Sequence, residues 1–139
     1  MRLVVDTNVL VSALLSSGSL PAPLVLLWRD GRFDLLTSAD PLDELVRVTR
    51  YPKIRERLSP ALAGRLINEL RELAIVVKEL PKVTASADPD DDYLLATAVA
   101  GKADFLVTGD KRDLLGLKLF DGTKIVSVRE FLSLAGRRR

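Results

Sequence analysis

Carboxylates are the side chains of this sequence best suited to carry chemistry. Its 139 residues include no histidine and no cysteine. That excludes the Ser-His-Asp triad, the Cys-His pair, the two-histidine ribonuclease mechanism and zinc held by imidazole or thiolate. A hydrolase made from what remains must use carboxylates, lysine or a metal, and carboxylate oxygens are hard ligands that suit Mg2+ or Mn2+. Asp6 ends the apolar run Leu3-Val4-Val5, and Asp110 follows Phe105-Leu106-Val107-Thr108-Gly109. Between them, Asp88-Pro89-Asp90-Asp91-Asp92 opens an apolar helical pattern. Taken singly, an aspartate at a strand end is as readily a turn residue or a helix cap, and acids favour the first turn of any helix. The run at 88–92 holds more carboxylates than capping requires, and packed carboxylates resist ionising together unless a cation neutralises them. Asp92 stands three and four residues before Leu95 and Ala96, which puts it on the inward side of that helix. Glu44 is the weakest case on physical grounds: with Leu42, Leu45 and Val46 turned inward it falls well round its helix, and Asp43 is as good a candidate.

The elements that must position these acids alternate in type. Leu3-Val4-Val5 reads as a strand, followed by a helix with Val9, Leu10, Ala13 and Leu14 at helical spacing. Leu20 to Arg29 reads as a helix opened by prolines and stopped by Gly31, and Phe33 to Thr37 as a strand. Ser38 is the expected N-cap of a helix with Leu42, Leu45, Val46 and Thr49 on one stripe, running toward Tyr51-Pro52. Ser59 to Ala74 fits another helix and Ile75-Val76-Val77 a strand. After a loop over Pro81 to Ala87, Asp88 is the expected N-cap, with Pro89 at the first helical position and Gly101 at the end. Phe105-Leu106-Val107 reads as a buried strand, and Ile125-Val126 as the last, before a helix over Arg129 to Leu134. Short apolar strands alternating with helices imply parallel pairing through right-handed crossovers. The expectation is an α/β fold, a single domain over 1–139 with a central parallel sheet and helices on both faces. In such a sheet ligands bind beyond the carboxyl ends of the strands where chain order reverses. Asp6 and Asp110 share that crevice if their strands are neighbours.

Composition sets the frame. A hydrophobic content of 47% is enough for one core. The net charge of +2, from 21 basic and 19 acidic residues, is too small for a polycation that coats nucleic acid by bulk charge. The signs are nevertheless segregated. Arg47, Arg50, Lys53, Arg55 and Arg57 form a basic stretch apart from the acids at 88–92, either as two solvated faces or as a backbone-binding rim beside a metal pocket. No apolar run has the length of a signal peptide or a membrane span, so a cytoplasmic protein is expected.

Val4-Val5-Asp6-Thr7-Asn8-Val9-Leu10, Glu44-Leu45, Asp91-Asp92-Tyr93-Leu94-Leu95-Ala96-Thr97-Ala98 and Phe105-Leu106-Val107-Thr108-Gly109-Asp110, in that order, resemble the PIN-domain family, in particular the VapC-type toxins of toxin–antitoxin pairs. The likeness covers nearly the whole chain. It implies a metal-dependent endoribonuclease in which Asp6, Glu44, Asp92 and Asp110 surround Mg2+ or Mn2+, and it raises Glu44 above Asp43. Asn8 and Thr108 would support the site through hydrogen bonds. Asp113 is a further possible ligand, and Asp91 replaces Asp92 if the helix starts one residue differently. Arg47, Arg50, Lys53, Lys111 and Arg112 are the expected grips on phosphates of a single-stranded or looped RNA. The resemblance also implies an antitoxin partner and a homodimer, for which Leu24, Leu27 and Trp28 are available, although core packing is the favoured role for those three. The alternatives are an RNA-processing or DNA-directed nuclease, and a non-catalytic module on the same fold.

Overall fold

In the computed structural model, residues 1–109 and 112–137 are described, without the side chains of Arg112 and Arg137. Each short run of β-formers becomes a strand, and most are followed by a helical return. Strand β1 (Arg2–Val5) leads through helices α1 (Thr7–Leu15) and α2 (Ala22–Arg29) to β2 (Asp34–Thr37). Helix α3 (Ala39–Thr49), the single turn α4 (Pro52–Arg55) and α5 (Pro60–Leu73) lead to β3 (Ile75–Val76). Helix α6 (Pro89–Gly101) precedes β4 (Phe105–Thr108), and α7 (Arg112–Leu117), β5 (Leu119–Phe120), β6 (Thr123–Ser127) and α8 (Val128–Arg137) follow.

The strands form one sheet in the order β3-β2-β1-β4-β6-β5. β1 lies parallel between β2 and β4, with Val5 opposite Val107. The chain steps outward from β1 through β2 to β3 and then returns to the other side of β1 as β4, so chain order reverses between β1 and β4. Residues alternate across each strand. Leu3, Val5, Phe105 and Val107 face a large core with α1, α2, α5 and α8. Val4, Leu36, Leu106 and Ile125 face a smaller one with α6 and α7. Leu24 and Trp28 are buried in the larger core, and Leu27 packs against it half-buried.

One strand departs from the expected all-parallel sheet. β5 pairs antiparallel with β6, Phe120 opposite Thr123, because Asp121 and Gly122 both take positive φ, 48° and 88°, as a two-residue type I′ hairpin turn requires. At the other end of the fold, α6 lies so close to β2 that a Cβ on Gly101 would stand 2.7 Å from Leu36 Cδ1. Only glycine lets the helix settle there without moving a buried leucine.

Candidate active site

Asp6 stands at the reversal point. Its backbone N–H continues the sheet by donating to the Val107 carbonyl at 2.9 Å, so the residue is fixed between β1 and β4 before its side chain does anything. The side chain is 1% exposed. Its Oδ1 accepts from the Asn8 backbone N–H at 3.2 Å, which caps α1, and its Oδ2 accepts from the Thr108 hydroxyl at 3.0 Å. The cap role is therefore real. It also holds a buried carboxylate, gripped from the neighbouring strand, at the carboxyl end of the sheet.

Two further helices bring acids to the same place. Glu44, in the second turn of α3, is half-buried, and burial pushes its carboxyl up to about 7. A hydrogen bond shared with Asp90 and the charges of Asp90 and Asp6 push the same way, while a hydrogen bond with Thr7 opposes them. Helix α1, α3 and α6 residues thus meet around one half-buried carboxyl. On α6, Asp88 is the N-cap and accepts from the Asp90 N–H at 2.9 Å, with Pro89 next to it in the first turn. That start puts Asp91, 3% exposed, on the stripe of Leu94, Leu95 and Ala98 that packs on the sheet. Arg47, one turn beyond Glu44, approaches Asp90 at 3.9 Å, a long and exposed pair that contributes little to stability.

A model of the PIN domain matches residues 2–112, the stretch from β1 to the start of α7. The chain belongs to the PIN-domain family. It is also similar to an uncharacterized protein of Methanocaldococcus jannaschii, 26% identical over 119 residues that make up 85% of this chain and 76% of the relative. PIN domains are in general nucleases, so the chemistry to be explained is phosphodiester hydrolysis.

Within this PIN domain the expected site residues divide. Asp6, Glu44 and Thr108 converge on the crevice. Asp110 and Lys111 lie outside the described residues. Asp92 turns elsewhere: its Oδ1 accepts from the backbone N–H groups of Ala85 and Ser86 at 3.0 and 2.8 Å. That carboxylate fastens the loop before α6 and borders a cavity of about 580 Å³ shared with Ser38, Val77 and Lys82. Asp91, the alternative, has the inward place. Asn8 contributes its backbone N–H, and its side chain is exposed. Asp113 is exposed in the first turn of α7. Arg50 and Lys53 are exposed near the end of α3 and on α4, and Arg112 opens α7. Sequence reasoning missed Asp90 and Thr7, both of which touch Glu44. The available signal was that Asp90 precedes Leu94 by four residues and the fully buried Thr97 by seven. Among the described residues no three acids are grouped closely enough to hold a metal ion, and Asp110 is not among them. No described helix is long and apolar enough to cross a membrane.

Proposed function

We propose that this PIN domain is a metal-dependent endoribonuclease whose ligand set is Asp6, Glu44, Asp91 and Asp110, with Asp90 flanking it. One observation carries the reading: the buried Asp6 carboxylate, bonded by Thr108 across the β1–β4 boundary, shares its crevice with Glu44 and Asp90 from two other helices. The donor chemistry fits a hard divalent ion. Every candidate ligand is a carboxylate, and the Glu44 proton is held to about 7 chiefly by burial, with the hydrogen bond to Asp90 and the charges of Asp90 and Asp6 adding to it. Mg2+ or Mn2+ bound there would supply the positive charge and water activation that phosphodiester hydrolysis at neutral pH needs. The chain's own part is to hold those oxygens in place. Thr108 and the Asn8 N–H fix both Asp6 oxygens, and Thr7 orients Glu44. Arg47, exposed beside Asp90, is placed to meet a substrate phosphate.

Asp6→Asn is expected to fold and to lose at least about 100-fold in Mg2+- or Mn2+-dependent cleavage of single-stranded RNA. That is the upper end of what even outer-shell changes cost at metal sites. EDTA should abolish wild-type cleavage. Full activity in Asp6→Asn, or cleavage indifferent to EDTA, rejects the reading. The likeness to VapC-type toxins extends the proposal to a toxin role. Expression alone would then arrest growth and a neighbouring antitoxin gene would restore it, whereas harmless expression of an active enzyme would favour RNA processing.

A further inference from the structure

Away from the acidic crevice, α3, α4 and α5 enclose a groove of about 290 Å³ floored by Val46 and Ile67 and walled by Arg50, Arg55, Arg71 and Asn68. No acidic residue lines it. Among the described residues the ion pairs use Arg29, Arg32, Arg47 and Arg65, so the three groove arginines have no carboxylate within 4 Å. Three exposed arginines around one hollow repel each other and stay hydrated unless an anion joins them. Unpaired arginine forks match phosphate oxygens in geometry as well as in charge. The groove is also joined to the site. Glu44, Arg47 and Arg50 follow at intervals of three along α3, close to one turn each, so Arg50 lies about 9 Å beyond Glu44 along the helix axis.

We propose that this groove is a backbone subsite for the strand being cut, holding its phosphates on Arg50, Arg55 and Arg71 while Arg47 spans the distance to the acidic crevice. The identification of the strand as substrate rests on the nuclease reading, whereas the groove's affinity for it does not. The occupant is a single nucleic-acid strand held by its phosphates, because the groove offers cations and one amide but no aromatic ring for stacking a base.

Binding of a fluorescein-labelled oligouridylate is measured by anisotropy across a salt series, with Asp6→Asn as the parent protein and EDTA present, so that no cleavage intervenes. Adding Arg55→Gln and Arg71→Gln is expected to weaken binding about 10-fold at moderate salt. It should also flatten the log–log salt dependence by about 1.4, two single-strand contacts at about 0.7 each. Lys102→Gln with Lys124→Gln, the same charge change on the β4 and β6 side of the sheet away from the β2–β3 connection that carries the groove, should leave affinity and slope nearly unchanged. A labelled deoxyoligonucleotide should show the same loss, since its phosphates are the same. The single variant Arg71→Gln should give half the slope change, and unchanged melting temperatures verify the fold of each protein. Undiminished binding in the double variant, a loss no greater than the control's, or no binding of either strand at low salt overturns the proposal. Undiminished binding would leave the groove to an acidic protein surface. Groove-dependent binding in a wild-type protein that cuts nothing would uphold the subsite and sink the nuclease reading instead.

Discussion

Asp91 and Asp92 are chain neighbours with different surroundings, and helical geometry separates them. Asp91 precedes Leu94, Leu95 and Ala98 by three, four and seven residues, and all three are buried. Asp92 precedes Leu95 and Ala96 by three and four, the spacing that favoured it on sequence, but its seventh residue is the half-exposed Val99. Extending the stripe by one more turn therefore picks Asp91. Asp91→Asn is expected to cost about 100-fold in metal-dependent cleavage. Asp92→Asn should keep cleavage within about 3-fold but lower stability by about 1–3 kcal/mol, because two loop N–H groups lose a charged acceptor. Cleavage rates and urea melts on the two proteins give the answer, and the reverse pattern would move the site to the loop side of α6. Asp6 was legible from its strand-end position. Glu44 was not, because its value comes from Thr7, Asp90 and Asp6, contacts made across three helices that no helical wheel of α3 contains.

Helix α6 carries its acids to the crevice only if it sits correctly against α3, and a buried polar pin sets that relation. Ser38 occupies the N-cap position of α3 as expected, yet its hydroxyl makes no cap hydrogen bond. It meets Thr97 Oγ1 at 2.7 Å instead. Thr97 donates to the Tyr93 carbonyl at 2.7 Å, so the Ser38 hydroxyl supplies the proton between the two. Both residues are at most 1% exposed. Thr97→Val strands the Ser38 hydroxyl and is expected to cost about 1–3 kcal/mol, while adding Ser38→Ala should recover part of that loss, since removing both partners leaves nothing unsatisfied. Strictly additive losses in a denaturant double-mutant cycle would show that the pin does not couple the helices. The same scale shows where sequence patterns ran out. α5 and α6 were legible from a clear cap ahead of an apolar helical stripe, and β1 and β4 from compact runs of β-formers each ended by a polar turn. The edge strand β5 was missed although Asp121-Gly122 is a strong hairpin signal, because its two residues, Leu119 and Phe120, are too short to show a period. The turn α4 begins at Pro52, a residue taken only as the end of α3 although proline also suits a first helical turn.

At the scale of the molecule, the proposed site draws Asp6 from the β1–α1 junction, Glu44 from α3 and Asp91 from α6, so a cation they shared would tie two helices to the β1–β4 boundary. The metal-free protein holds these carboxylates at a cost that depends on pH. Glu44 has a folded value of about 7 against an ordinary 4.5, so the folded state binds the proton more tightly than the unfolded chain does. Stability from this residue is greatest below the unfolded value, falls as pH rises between the two, and is fully lost above about 7. In EDTA the melting temperature should therefore decline from pH 5 to pH 8, and Glu44→Gln should flatten part of that decline. Mn2+ reverses the argument, because a cation favours the ionised set. At about 100 times its dissociation constant it adds about 2.7 kcal/mol, roughly 5–10 °C for a domain of this size, and more at pH 8 than at pH 5. Asp6→Asn should melt cooperatively yet show little of that rise. If Mn2+ leaves the wild-type midpoint unmoved at pH 8, the crevice is not a cation site, whatever else the PIN fold does here.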